Sequence, residues 1–353
     1  MKKYWAAFAS IEGIRSSHWQ KIIGFFPNLK DAWQGSFSEF KKAGLKDDWV
    51  ESFFLKKKNT NPDLIFDNLT KNKIDILLIT DKEYPTLLKE IHNPPYVLYI
   101  KGKIYPKDEI SISIVGSRKG TDYGKRATFE ISKELAQNKI TIISGLALGL
   151  DTEAHRGALS ATGGRTVAVL ANGLDQIYPS TNFGLASKIT ENGCLISEQP
   201  IGMPALKQNF PARNRIISGL SQGVLVTEAG EHSGTLHTAS FAIEQNRQIY
   251  AIPGPIYNPL AKGPNNLIKQ GAKPVTEATD ILEDFGIENN LNIAKPENDD
   301  ERIIFEILKE ENLHIDEITR KTKRDSKEIS KILTMMEIKN KIRHLGGMVY
   351  GLK

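Results

Sequence analysis

The stretch that decides the fold is residues 111–151, which read SISIVGSRKGTDYGKRATFEISKELAQNKITIISGLALGLD. Two β-branched runs, Ile112–Val115 and Thr141–Ile143, are unbroken by charge, which is typical of strands buried on both faces. Between them, over Asp122–Asn138, apolar residues recur every four positions and predict one face of a helix. Strand, helix and strand in this order favour a parallel α/β unit.

The same alternation continues through most of the chain. Three further charge-free runs predict strands, at Thr166–Leu170, Val224–Val226 and Ile249–Ile252. We therefore predict an α/β fold: an extended, Rossmann-like, doubly wound and mostly parallel sheet over residues 69–285.

The two flanks predict smaller units. Residues 1–68 show short apolar helical patterns separated by glycine-containing turns, which indicates a small helical module. Residues 286–300 are polar and acidic and are interpreted as a linker. Over residues 301–353 we predict three helices and a hairpin at the Gly-Gly pair, the pattern of a winged helix. Asp325 is predicted to cap its third helix, with Glu328 completing a capping box.

Composition limits the possible functions. The net charge is +5 over 353 residues, and it divides into +3 over 1–70, +2 over 71–285 and zero over 286–353. Any nucleic-acid contact must therefore come from the local placement of cations. Cys194 is the only cysteine, so no intrachain disulfide is possible. No run is apolar enough for a membrane helix, no signal peptide is expected, and a reducing cytoplasm fits.

Loops rich in Gly, Ser and Thr follow four of the predicted strands. Such loops expose backbone N–H groups at helix starts, where phosphates bind, and the ligand edge of a parallel sheet lies at the carboxyl ends of its strands. Alternatively, the glycines only make tight turns; four loops at one edge favour a phosphate-binding surface. The candidate residues in them are Gly116, Ser117, Arg118, Gly145, Leu146, Ala147, Asn172, Ser233, Gly234 and Thr235.

A second candidate segment, LKQNFPARNRIISGL at 206–220, lies between the third and fourth of these loops. A base can stack on an exposed aromatic ring, and scattered cations suit the accessible bases of a single strand better than a duplex. Whether the arginines contact phosphates directly or brace the loops through Glu198 or Glu228 stays open. The candidate residues are Lys207, Phe210, Arg213, Asn214 and Arg215.

The alternatives that involve catalysis find less support. Asp151 and His155 lie four residues apart, but no third ligand follows at a recognisable spacing, so we predict that Asp151 caps a helix and His155 packs locally. Glu228 and Glu231 suggest N-glycosidic hydrolysis, although no residue stands out as a paired acid and base. The sequence lacks the P-loop and dinucleotide fingerprints. We predict no catalytic residue, no metal and no small cofactor.

In this order, the motifs GSR, SGLALGLDTEAH, GGRTVAVLANGLDQIYPSTN, NFPARNRIISGLS, VLVTEAGEHSGTLHTA and AIPGPI resemble those of the DprA (Smf) family of DNA-processing proteins. The resemblance covers nearly all of the central domain. It implies a SAM-like or helix-hairpin-helix-like N-terminal module and a C-terminal winged helix. It also implies a recombination mediator that protects incoming single-stranded DNA and loads the RecA recombinase during natural transformation.

The resemblance also assigns roles to residues. Arg118, with the N–H groups near Ser117 and over 145–147, would hold phosphates, and the 206–220 segment would line the strand path. Residues 263–276 look like the family's homodimer region, near which RecA docks. Leu148 and Ser180 stand where the family often has a basic residue, so binding could be weaker or assisted by the flanking modules.

Two other functions remain open at this stage. The lysine-decarboxylase-like nucleotide hydrolases cleave nucleoside monophosphates on a similar sheet, but their Pro-Gly-Gly-x-Gly-Thr-x-x-Glu loop is replaced here by EAGEHSGTLHTA. A structural or regulatory DNA protein in a bacterium that does not take up DNA is also compatible with the sequence.

Overall fold

The computed structural model describes residues 1–287, 296–339 and 341–352. It divides into two compact units, Met1–Gly286 and Ile287–Lys353. The predicted linker, 286–300, lies mostly outside the described residues, and its last two residues already belong to a helix that begins at Asp299. No helix in the described ranges combines the length and apolarity that a membrane span requires.

The first unit contains a nine-stranded sheet, surrounded by helices. Its helices are α1 (Lys2–Ser10), α2 (Ser16–Phe25), α3 (Leu29–Gln34), α4 (Phe37–Lys42), α5 (Asp47–Lys58), α6 (Pro62–Lys71), α7 (Thr86–Lys89), α8 (Asp122–Gln137), α9 (Leu150–Ser160), α10 (Phe183–Asn192), α11 (Asn209–Gly219), α12 (Thr235–Glu244), α13 (Lys262–Lys269) and α14 (Thr279–Asp284). Its strands are β1 (Asp75–Leu78), β2 (Val97–Gly102), β3 (Ser111–Val115), β4 (Thr141–Ser144), β5 (Thr166–Leu170), β6 (Cys194–Ser197), β7 (Gly223–Val226), β8 (Gln248–Ala251) and β9 (Lys273–Pro274).

The strand order is β1-β2-β6-β5-β4-β3-β7-β8-β9. The β1–β2 and β2–β6 pairs are antiparallel, and all other neighbours in this sheet are parallel. The predicted fold class and its five predicted strands are confirmed. The chain moves outward from β3 to β6 and returns to the other side of β3 as β7, so the switch point at which ligands bind in such folds lies between β3 and β7.

Local sequence explains where the helices begin. Asn28, Ser36 and Asn61 each accept a backbone N–H with the side chain, which satisfies donors that the first helical turn leaves free. Thr121 does the same for α8, at 3.1 Å from the nitrogen of Gly124. Ile131 and Leu135 of α8 are buried, as the four-residue spacing predicts, whereas Tyr123, at the start of the same series, is 52% exposed.

The helices of residues 1–71 and the sheet share one apolar core. Phe8, Trp19 and Phe53 belong to the same buried cluster as Tyr99 and Leu170, which lie on β2 and β5. A second cluster covers the opposite face of the sheet, beneath α7, α11 and α12. The helical region is therefore stabilised by the sheet that it covers, and the separation at residue 68 stays a prediction from sequence.

The second unit has the predicted winged-helix order. Its helices are α15 (Asp299–Glu310), α16 (Ile315–Thr322) and α17 (Ser326–Ile338), and its three-stranded sheet is formed by β10 (Leu313–His314), β11 (Ile342–His344) and β12 (Val349–Leu352). Asp325 caps α17 as predicted, accepting from the nitrogen of Lys327 at 2.8 Å. The predicted capping box is wrong, because the Glu328 carboxylate pairs with Arg324 at 3.0 Å instead.

A buried carboxylate holds the second unit together. Glu301 pairs with Lys341, which is also buried, and with Lys339 at 3.1 Å. Its side chain also accepts the backbone N–H of Glu297 at 2.8 Å. Burial alone would raise the pKa of Glu301, but these hydrogen bonds outweigh it and lower the pKa from 4.5 to about 2.

We expect Glu301→Gln to destabilise the second unit by about 2 kcal/mol at pH 7, because the buried Lys341 then keeps only the more exposed Glu297, at 3.0 Å, as a charge partner. The folded pKa lies below the unfolded one, so the carboxylate stabilises above about pH 4.5 and loses its effect as pH falls towards 2. Urea unfolding followed by the amide NMR signals of α15–α17 measures both effects at pH 7 and pH 3. Glu306→Gln, in an exposed pair with Lys309, is the control and should change little. Equal losses in the two variants would contradict this account.

Candidate nucleic-acid interface

The four predicted loops meet at the carboxyl edge of β5, β4, β3 and β7. The Ser117 N–H donates to the Glu228 carbonyl at 2.7 Å, and the Leu150 N–H donates to the Ser117 carbonyl at 3.1 Å. The Thr235 hydroxyl donates to the Gly116 carbonyl, also at 3.1 Å. These hydrogen bonds tie the loops after β3, β4 and β7 to one another, so the edge is a single connected surface.

A buried charged centre lies beneath this surface. The carboxyl of Asp151 accepts N–H groups from Gly116 at 3.4 Å and from Gly145 at 3.2 Å. The guanidinium of Arg213 donates to the carbonyls of Gly145, at 2.8 Å, and Val169. Burial lowers the pKa of Arg213 to about 10, and the negative field of Asp151 opposes that shift, so Arg213 keeps its charge at neutral pH. A Cβ on Gly145 would lie 2.7 Å from the Arg213 guanidinium, which explains the glycine.

Arg215 is buried on the other side of α11. Its guanidinium forms an ion pair with Glu198 at 2.7 Å and donates to the carbonyls of Asn93 and Ala212. Both arginines of the 206–220 segment are thus engaged within the protein. Of the two acids through which the arginines could brace the loops according to the sequence, Glu198 is contacted by Arg215. Glu228 instead accepts hydrogen bonds from the backbone N–H and the hydroxyl of Thr121, at 2.8 and 2.6 Å.

An exposed group of cations and rings lies at the same edge. The Arg118 guanidinium lies over the ring of Phe210, 5.2 Å from its centroid, and Arg213 approaches the same ring at 5.8 Å. Lys207 is exposed one turn before Phe210. Tyr178 packs its ring at 65° to Phe210, with centroids 5.8 Å apart, and is 48% exposed. Sequence reasoning missed Tyr178, although an aromatic residue in the polar loop after β5 was a usable signal.

Some of the other predicted residues have side chains that are engaged within the protein, and others are exposed. Leu146 is buried with φ of +56°, and the Asn172 amide donates to the Gly173 and Gln176 carbonyls, so both side chains are occupied inside their loops. Asn214 donates to the Gly234 carbonyl at 3.4 Å. Several of the predicted residues are partly or fully exposed at this edge: Ser117, Ala147, Asn214, Ser233, Gly234 and Thr235.

The predicted helix cap at Asp151 is wrong. Gly149 occupies the N-cap position of α9 with φ of +81°, where a Cβ would overlap the backbone of Ser117 and Arg118. Asp151 instead bridges two neighbouring loops, as described above. His155 packs locally as predicted, with its Nδ1 2.7 Å from the Thr166 hydroxyl.

We expect Arg213→Met to lower the free energy of unfolding of the first unit by about 3 kcal/mol, because two buried carbonyls lose their donor and the buried Asp151 carboxyl loses a nearby positive charge. Tryptophan fluorescence in urea measures this unit, since all four tryptophans precede residue 50. The control is Arg126→Met on the exposed face of α8, which should shift stability by less than about 0.5 kcal/mol. A similar loss in both variants would show that Arg213 is not a structural centre.

Comparison with known proteins identifies two families of domain. Residues 75–286 match the family model described as DNA recombination-mediator protein A, and residues 292–348 match the DprA winged helix domain. Protein Smf of Synechocystis sp. is 37% identical over 290 residues, 80% of this chain and 72% of that protein. The DNA processing protein DprA of Bacillus subtilis is 39% identical over 259 residues, 73% of this chain and 84% of that protein.

Solved structures of DprA proteins are also similar to this chain. The crystal structure of DprA from Streptococcus pneumoniae superposes with a TM-score of 0.69 at 33% identity, covering 82% of this chain and 99% of that one. DprA from Helicobacter pylori, whose structure is described as showing a single-stranded DNA binding mode, superposes with a TM-score of 0.55 at 28% identity. That match covers 60% of this chain and 95% of the other.

Proposed function

This chain belongs to the DNA recombination-mediator protein A family, and from that premise we propose that it binds single-stranded DNA at the β3–β7 edge. One observation carries the proposal: the exposed Arg118, on loops joined by hydrogen bonds, lies over the partly exposed ring of Phe210, and the exposed Lys207 precedes that ring by three residues. Cations that contact phosphates beside a ring that stacks a base are the combination that single-strand binders use.

In this proposal the predicted residues act in two ways. Arg118 and Lys207 contact phosphates, together with backbone N–H groups of the loops after β3, β4 and β7. Phe210 stacks a base. Arg213 and Arg215 position these groups from below, because their donors are already engaged by Gly145, Val169 and Glu198. A duplex fits less well, since its bases are already paired and stacked.

We further propose that the bound strand is protected and that RecA is loaded on it during natural transformation, with the protein acting as a cytoplasmic homodimer. Similarity to the DprA proteins of Bacillus subtilis and Streptococcus pneumoniae supports this. Ile256 and Tyr257, 75% and 93% exposed, lie shortly before the predicted dimer region at 263–276, with five residues between. Large apolar side chains this exposed are typical of an interaction surface.

We propose a binding role rather than catalysis. The Glu228 carboxylate is buried and accepts both hydrogen bonds from Thr121, and Glu231 lies on the surface, 3.8 Å from Lys262. The two carboxylates therefore do not face a shared cavity as an acid and base pair would. This arrangement supports single-strand binding over nucleoside-monophosphate hydrolysis.

We expect Arg118→Ala and Lys207→Ala each to weaken oligo-dT binding about tenfold at low salt and to reduce the slope of log K against log salt by about 0.7. Phe210→Leu should lose about 1–3 kcal/mol with oligo-dT while keeping the wild-type salt slope. Fluorescence anisotropy over a salt series measures both. The control is Lys107→Ala. Lys107 is exposed just before β3, so it lies at the amino ends of the parallel strands, away from the proposed site at their carboxyl ends. Equal binding of duplex, unaffected variants, or release of base from a nucleoside monophosphate would contradict the proposal.

We expect Tyr257→Asp to shift the protein from dimer to monomer in light scattering, because it places a charge in the proposed apolar contact. Short oligo-dT should still bind with wild-type affinity, whereas RecA filament formation on a long strand should slow. Tyr105→Asp, at a 43% exposed tyrosine before β3, is the control. A dimer that persists at Tyr257→Asp would place the interface elsewhere.

A further inference from the structure

A surface pocket lies within the helical region, among residues that are separate from the loops described above. It has a volume of about 540 Å³ and is formed by the turn before α2, the first two turns of α2 and the turn before α5. Its ionisable side chains are cationic or neutral. The side chains and backbone that line it are Gly13, Arg15, Ser17, His18, Lys21, Leu45, Lys46 and Trp49. We call the group Arg15, Lys21 and Lys46 with His18 the helical cation pocket.

The positive charge of this pocket is not neutralised by neighbouring acids. No acidic residue lines it among the parts of the chain that the structure describes. Among the acids near it in sequence, Glu12 approaches Lys56 at 3.9 Å and Asp47 pairs with Lys41 at 2.9 Å. Asp48 is exposed and does not line the pocket. Lys21 donates only to a neutral partner, the Gly44 carbonyl at 2.6 Å.

The pKa of His18 is affected by the same positive charges. Burial lowers the pKa of His18, and the charges of Arg15 and Lys21 lower it further. Its Nδ1 accepts the Arg15 N–H at 3.1 Å, so the ring is fixed in place. Cations held together without a counter-charge form a site that gains free energy when an anion binds.

The aromatic residues of the pocket limit what this anion can be. The ring of Trp49 stacks with Phe53, at 5.2 Å and 11°, and contacts His18, at 4.5 Å and 33°. Its indole N–H already donates to the Gly13 carbonyl at 3.1 Å. The indole is thus engaged by protein groups, and the cations are the groups of the pocket that remain to bind a ligand. The pocket therefore suits a phosphodiester.

We propose that the helical cation pocket binds a backbone phosphate of DNA, independently of its bases, as a second contact outside the β3–β7 edge. That the phosphate belongs to DNA rests on the function proposed above, whereas the anionic chemistry rests on the pocket alone. Arg15 and Lys46 supply the free charges, and Lys21, held by Gly44, supplies a fixed one.

The test compares Arg15→Gln with Lys46→Gln, and their double variant, in the full-length protein. We expect the double variant to bind oligo-dT about tenfold more weakly at low salt. The slope of log K against log salt should fall by about 0.7 for each phosphate contact removed, which is about 0.7 in a single variant and about 1.4 in the double variant. The ratio of affinities for oligo-dT and for an abasic strand of equal length should stay at the wild-type value, because no base is read here. Lys30→Gln, an exposed lysine on α3 outside the pocket, controls for net charge.

The outcomes separate this inference from the proposed function. If the pocket variants match Lys30→Gln while Arg118→Ala and Lys207→Ala bind weakly, the pocket inference is overturned and the central site stands. If the pocket variants lose affinity and salt slope while the central variants bind normally, the pocket stands and the central site falls. A collapse of the ratio between oligo-dT and abasic strand in the pocket variants would also overturn the inference, since it would mean that bases are bound there.

Discussion

The candidate interface depends on one buried charge. Arg213 joins the loop after β4 to the end of strand β5 through the carbonyls of Gly145 and Val169. The nearby Asp151 carboxyl joins the loops after β3 and β4 through two N–H groups. Loops rich in glycine would otherwise sample many conformations, at a cost of about 1–2 kcal/mol per residue when a ligand orders them. The buried centre orders these loops when the protein folds, so the exposed residues above them are preorganised.

The sheet itself was readable from the sequence because buried parallel strands leave a distinct record of charge-free, β-branched runs. The antiparallel edge was not predicted. Strand β1 begins with Asp75 and contains one β-branched residue, Ile76, and β2 ends in a lysine and a glycine, so neither gives the same pattern. Strand β9 has only two residues, Lys273 and Pro274, and no periodicity can indicate a strand this short.

The candidate site was predictable in location but only partly in role. The loops and the 206–220 segment do meet at one edge, as expected from the carboxyl ends of parallel strands. Whether an arginine faces water or the core depends on the phase of α11, and the chain from Lys207 to Arg215 contains too few apolar residues to fix that phase. Tyr178 was missed because its partner is Phe210 of α11, and Asp151 was misassigned because it accepts from Gly116 of another loop; no local pattern records such contacts.

The shared core of residues 1–71 and the sheet has a consequence for how such chains can vary. Strand residues such as Tyr99 and Leu170 are shielded from water by rings that belong to the first helices. A relative that lost these helices would expose an apolar surface, so it would need polar replacements on that face or another protein to cover it. The helical region is therefore inherited together with the sheet face beneath it, and exchange of either part between relatives requires matching substitutions in the other.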